Sequence, residues 1–194
     1  MKKKLTTLSS LTLLALASQA SAAVVFNAGF EDPMSNPIGP PHFGGWPAFS
    51  GDLAATAVSS MSNPRSGFSS AYIFITNVED TYAGVFQNFA VVPAGDVTFE
   101  AWHASTFGSD IGYEYRIERQ KNDDSEISRV ELTDAPGTAF EMFSVSGTAP
   151  VDTSFDLVIY AAQSFQGGTT GGVFMDDVAV TTIPEPSGAL NLVA

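Results

Sequence analysis

Short runs rich in Val, Ile, Phe, Tyr and Thr recur along this chain between clusters of Gly, Pro, Asn, Asp and Ser, and helix signals are nearly absent. A run of that length cannot bury an apolar surface alone. With period-two alternation it is half-buried as a strand, and many such strands joined by turn residues close into an antiparallel sandwich or barrel. The pattern predicts strands over residues 23–26, 54–58, 70–75, 83–91, 96–106, 112–120, 127–133, 140–146, 155–162 and 172–181. Turn chemistry falls between them, at residues 32–47, 63–67, 93–95, 122–124, 134–137 and 166–172. No internal repeat is visible.

The two ends differ from the middle. Lys2, Lys3 and Lys4, an apolar run from Leu11 to Ala17 and the small residues Ala20-Ser21-Ala22 read as a secretory signal peptide over residues 1–22. Its apolar run is too short for a permanent membrane span, and no later segment has about 18 uninterrupted apolar residues. Removing 22 of 194 residues leaves 172, enough for one domain with a sizeable core, expected over residues 23–182. Beyond Thr182 the sequence Ile183-Pro184-Glu185-Pro186-Ser187-Gly188 cannot extend a central strand, because proline lacks the ladder donor. Residues 183–194 are expected to be a disordered tail.

Loss of the three lysines takes the formal charge from −13 to −16, with Arg65, Arg116, Arg119, Lys121 and Arg129 set against all the acids. Such a field repels nucleic acid and anionic membrane surfaces and leaves divalent cations and neutral polymers as partners. There is no cysteine, which excludes thiol catalysis, zinc–thiolate sites and disulfide stapling. His42 and His103 are the only imidazoles, too few for a familiar catalytic zinc set.

Two short segments bracket the predicted domain: Asn27-Ala28-Gly29-Phe30-Glu31 and Phe174-Met175-Asp176-Asp177-Val178. The first puts a carboxylate after a glycine turn. In the second, alternation places Phe174, Val178 and Val180 on the core face, which turns Asp176 inward. An inward carboxylate needs a cation or strong donors, and a hard oxygen-liganded ion such as calcium is the economical answer.

These segments, with Gly45-Trp46, Pro64-Arg65-Ser66-Gly67, Gln87, Pro93-Ala94-Gly95 and Met175-Asp176-Asp177-Val178 in this order and spacing, make the chain resemble carbohydrate-binding modules of the galactose-binding-like type. The resemblance implies an all-β fold, a two-sheet antiparallel β-sandwich (jelly roll). It further implies a structural calcium shared by Glu31 and Asp176, with the Asn27 or Gly29 carbonyl contributing and Asp177 as the ligand if the last strand is one residue out of register. The tail from Ile183 to Ser187 resembles the start of a PEP-CTERM sorting signal of exported proteins from polysaccharide-producing Gram-negative bacteria. In that signal an apolar span and a basic cluster follow, whereas here only residues 188–194 follow, so release outside the cell is expected rather than anchoring.

Sugar binding by a sheet requires aromatic platforms beside hydroxyl-binding polar groups. Alternation turns Glu100 and Trp102, Glu114 and Arg116, and Tyr160 away from the core; if their strands share a sheet, these five residues form a sugar platform. Trp102 can equally pack under a loop. Trp46 is expected to plug the core, Tyr82 and Phe86 to alternate inward, and His103 to be a structural core histidine. No paired carboxylates, nucleophile elbow or phosphate loop stands out, so a non-enzyme is expected. Two functions remain: a secreted domain that recognises an extracellular polysaccharide, or a structural matrix or surface protein with no defined sugar site. N-terminal sequencing of exported protein is expected to begin at Ala23; an intact Met1 on that protein would refute the leader assignment.

Overall fold

A computed structural model describes residues 21–22, 25–32, 45–50, 55–75, 82–92, 94–106, 111–119, 125–132, 137–150, 153–163 and 171–185. The bulk of the expected leader, His42 and residues 186–194 of the expected tail lie outside them. The described residues form eleven strands: β1 (Ser21–Ala22), β2 (Ala48–Ser50), β3 (Ala55–Ser60), β4 (Ser70–Ile75), β5 (Tyr82–Val92), β6 (Gly95–Ser105), β7 (Ile111–Arg119), β8 (Ser125–Leu132), β9 (Glu141–Ala149), β10 (Thr153–Gln163) and β11 (Gly171–Pro184). All pairings are antiparallel. A six-stranded sheet runs β3-β4-β11-β6-β9, with β1 also on β11, and a five-stranded sheet runs β2-β5-β10-β7-β8. Among the described residues no helix is long and apolar enough to cross a membrane.

The core lies between the sheets. Ala71, Ile73 and Ile75 of β4, Val97, Phe99 and Ala101 of β6 and Phe143 and Val145 of β9 meet Ala83, Val85 and Phe89 of β5 and Tyr113, Tyr115 and Ile117 of β7. Each set alternates, so every second residue of these strands faces away from the core. Tyr82 and Phe86 therefore lie on the outer face of β5, not inward as expected, because the inward parity belongs to Ala83, Val85 and Phe89.

At the ends of elements, tertiary pairing replaces local pattern. Val25 and Phe26 form no strand; residues 26–29 turn, and Phe30 N–H donates to the Asn27 carbonyl at 2.9 Å. Three-residue β2 is too short to show a period. β11 runs three residues past its expected end at Thr181, with Ile183 and Pro184 in register with Asp96 and Gly95. Gly95 permits this: at φ +145° a Cβ there would overlap the Ile183 carbonyl. Proline occupies the last position of the strand, where the missing donor costs least. Glu185 N–H then donates to the Ala94 carbonyl at 2.8 Å.

A β-bulge decides the faces of β11. Its register against β6 shifts between Asp176 and Ala179, and Asp177 sits at φ +48°. One extra residue inverts the alternation. Val173 and Met175 face the core before the bulge, Val178 and Val180 after it. Phe174 and Asp176 thus lie on the outer face, contrary to the inward expectation. Phe174 stacks there on Tyr72, with ring centroids 4.6 Å apart.

One end of the core is sealed by Trp46, fully buried and tilted against Phe30 at 5.2 Å. Its indole N–H donates to the carbonyls of Phe26 at 2.9 Å and Asn27 at 3.2 Å. Gln87 ties the same turn to β5. Its Nε2 donates to the Phe26 and Gly45 carbonyls and its Oε1 accepts from Phe26 N–H, each at 3.0 Å. A buried amide that satisfies three backbone groups is costly to delete, since each group left without a partner costs about 1–3 kcal/mol. Gln87→Leu is expected to destabilise the fold by about 2–4 kcal/mol in chemical denaturation; a change under ~0.5 kcal/mol would contradict this role.

Candidate functional site

The five residues expected on one platform fall on two sheets. Glu100 and Trp102 belong to β6, whereas Glu114 and Arg116 belong to β7 and Tyr160 to β10. The alternation was read correctly, but the topology puts the core between the two groups. Trp102 is half-buried, and the Arg65 guanidinium lies over its ring at 3.8 Å from the centroid. Arg65 of the loop of residues 61–69 thus lies on this indole.

The outer face of the five-stranded sheet keeps the other three. Backbone register forms two cross-strand rows: Phe49-Gly84-Tyr160-Glu114 and Phe86-Val158-Arg116. The side chain of Tyr160 lies outside the described ones. Phe49 packs with Tyr82 at 6.1 Å and with Phe86 at 6.2 Å between centroids. Tyr82 remains 46% exposed. Next to this aromatic edge, Arg116 Nε lies 3.1 Å from Glu114 and 2.7 Å from Glu118. Glu114 is only 2% exposed, so its carboxylate is held by the protein and not by bulk water. Aromatic rings and an ion network thus share this face. Sequence reasoning did not consider Phe49 and turned Tyr82 and Phe86 inward. The available clue was that β5 is apolar at both parities, so one set had to face outward.

The bracketing segments do meet. Val178 N–H donates to the Ala28 carbonyl at 2.9 Å, and the position a Cβ on Gly29 would take lies 3.7 Å from both Glu31 Cγ and Asp176 Oδ1. Asp176 is fully buried, under the loop of residues 61–69. Its Oδ2 accepts from the N–H groups of Arg65 at 2.9 Å and Ser66 at 3.2 Å, and its Oδ1 accepts from Asp177 N–H at 2.8 Å. Burial pushes its carboxyl above the usual range, opposed by these N–H groups, with the neighbouring Asp177 charge adding to the rise. Glu31 accepts from Phe68 N–H through both oxygens at 2.9 Å and from Ser69 N–H at 3.1 Å. Asp177 pairs with the Arg65 guanidinium and accepts from the Ser66 hydroxyl at 2.7 Å. Gly67, at φ +61°, admits Glu31 where any Cβ would overlap its carboxylate.

The oxygens expected to hold calcium are largely taken by donors, the Gly29 carbonyl apart. Such an ion takes six to eight oxygen ligands. Both lone pairs of Glu31 Oε1 and of Asp176 Oδ2 are directed at N–H donors, and the Asn27 carbonyl accepts from Phe30 N–H and the Trp46 indole. Asp177 is committed to Arg65 and Ser66. Among the described residues no group of three or more His, Asp or Glu side chains is placed to hold a metal. Asp176 takes the other option open to a buried carboxylate, strong donors.

His103 is buried, as a structural histidine should be. Its Nδ1 shares a short hydrogen bond with the Tyr115 hydroxyl, and its Nε2 lies 3.5 Å from Glu141. Burial lowers its pKa to about 4, against the opposing pull of Glu141.

No protein-family model matches the sequence, and no curated protein sequence matches it. Solved structures do match, several of them carbohydrate-binding modules with β-sandwich folds. The carbohydrate-binding module TmCBM61, solved with β-1,4-galactotriose, is 14% identical at a TM-score of 0.56, over 80% of this chain and 95% of that one. The xylan-binding domain CBM22-1 of Xyn10C from Paenibacillus barcinonensis is 12% identical at 0.55, over 82% and 94%. A cyclase from Fischerella sp. TAU is 17% identical at 0.63, over 87% and 100%. At such identities the likeness is one of fold: a jelly-roll β-sandwich shared by binding modules and by a cyclase, in which function resides in the surface residues.

The depressed pKa of His103 has a sign. Between about 6.5 and about 4 the unfolded chain binds more protons at this residue than the folded one, so its contribution to stability is complete above 6.5 and is lost as pH falls toward 4. The raised Asp176 carboxyl works in the opposite direction at the acid end. The fall in melting temperature from pH 7 to pH 4.5 is expected to be smaller in His103→Asn than in the wild type. Equal slopes would contradict the assignment.

Proposed function

We propose that this protein is a non-catalytic carbohydrate-binding domain whose sugar surface is the outer face of the five-stranded sheet. One observation carries the reading: an aromatic cluster of exposed Tyr82 and half-buried Phe49 and Phe86 lies on the same sheet face as the Glu114–Arg116–Glu118 network. Rings of this kind cover the apolar face of a pyranose, and the partly exposed Arg116 and Glu118 side chains donate to and accept from its hydroxyls, with Glu114 buried beneath them as support. Tyr160 holds the register position between Gly84 and Glu114, which keeps it in the proposed surface. Trp102 and Glu100 are left out, since the core separates them from it. Galactan- and xylan-type ligands in the sandwiches of the same fold are consistent with a neutral polysaccharide.

The charge of −13 makes a polyanionic glycan a poor partner and a neutral or cationic extracellular polysaccharide a good one. The leader-like residues 1–22 and the PEP-CTERM-like residues 183–187 support export to the outside of a Gram-negative, polysaccharide-producing cell. A second reading, a structural surface protein that works through protein contacts, is favoured by Phe26, Met61 and Phe68, each more than 60% exposed.

A screen of the protein against a panel of neutral, amino-sugar and uronate polysaccharides distinguishes the two readings. With a bound glycan in hand, Tyr82→Ala is expected to weaken affinity by roughly tenfold, equivalent to about 1.4 kcal/mol, with little change in melting temperature. Trp102→Ala is expected to keep the affinity and lower the melting temperature, because it removes the platform under Arg65. Unchanged affinity in Tyr82→Ala, or no glycan bound across the panel, would transfer the function to protein contacts.

A further inference from the structure

We infer that Arg65 is the resident cation of the junction between the first and last segments of this domain, and that the sandwich closes there without a metal ion. Three acids meet around Gly29, Asp176 and Asp177 through a carboxylate oxygen each and Glu31 through its Cγ, with the Glu31 carboxylate turned to Gly67. Left to themselves they repel one another, and a buried member of such a set is costly. The loop carrying Arg65 answers them in two ways. Its backbone N–H groups at Arg65, Ser66, Phe68 and Ser69 point at Asp176 and Glu31. Its one charged side chain takes the third acid: the guanidinium pairs with Asp177 while its planar face rests on Trp102 at 3.8 Å.

Arginine suits this position where lysine does not. The guanidinium is weakly hydrated and planar, so it can pair in its plane and stack on an indole through its face. A divalent ion would have to displace Arg65 from Asp177, and Glu31 Oε1 and Asp176 Oδ2 already accept from two N–H donors each. The ion pair is partly exposed and weak by itself. Its effect lies in lowering the surplus negative charge at a point where two chain segments and one loop must coexist. Trp102 then has a positive role: it is the platform for the cation that closes the fold.

The test uses the full chain in thermal denaturation, with calcium or chelator as the variable. The wild-type melting temperature is expected to shift by less than about 1 °C with excess chelator or with millimolar calcium, since an ion that does not bind the native state adds no stability. Arg65→Gln is expected to lower it by roughly 3–6 °C and to make it rise again with calcium, because the acids are then uncompensated. Adding Asp177→Asn to Arg65→Gln is expected to restore part of the loss without calcium. If Arg65→Gln does not fold, calorimetric titration of chelator-treated wild type with calcium chloride decides, with no binding heat expected. Chelator-induced loss of wild-type stability, a calcium Kd below about 10 μM for the wild type, or an Arg65→Gln variant that behaves like the wild type would each overturn the inference.

Discussion

Backbone N–H groups of one loop hold carboxylates from both ends of the domain, and the placement of the strands around that loop follows from this clasp. Glu31 follows the opening turn, Asp176 and Asp177 form the bulge of β11, and the loop that holds them precedes β4. A buried carboxylate must be satisfied, so the bulge, the turn and the loop are interdependent. The bulge makes Val178 and Val180 core residues, the turn sets Trp46 and Gln87 over the end of the sandwich, and the loop carries Arg65 onto Trp102.

This clasp separates two uses of similar chemistry. On the six-stranded sheet an aromatic side chain, an arginine and acids are turned inward on one another, and they hold the fold. On the five-stranded sheet the corresponding groups, Phe49, Tyr82, Phe86, Arg116, Glu114 and Glu118, line a face with an exposed aromatic edge. Tryptophan beside arginine and carboxylate is therefore no sign of a ligand site by itself. Among the described residues, the two faces differ in that Arg65 of a loop lies over the Trp102 ring, whereas Tyr82 remains exposed.

The sandwich also explains why fold likeness alone does not name a function here. Its core consists of alternating apolar residues that any jelly roll needs, and the likeness at 12–17% identity extends to binding modules and a cyclase alike. The proposed activity depends on the surface residues of β2, β5, β7 and β10.

The strands were legible in the sequence because alternation is local: β4 matches its expected bounds of 70–75, and β5 to β8, β10 and β11 lie within about three residues of theirs. The turn before Glu31, the buried Trp46 and the structural His103 were legible for the same reason, each being tied to nearby residue types. Local pattern could not say which strands share a sheet, so Trp102 and Glu114 were grouped although the core divides them. Nor could it show the bulge at Asp176 and Asp177, whose extra residue inverts the alternation only because distant loop N–H groups compensate the carboxylate. The sequence by itself determined the strands and the acids that had to find partners. Only the tertiary structure decided what those partners are, because cross-strand register and loop placement join residues more than a hundred positions apart.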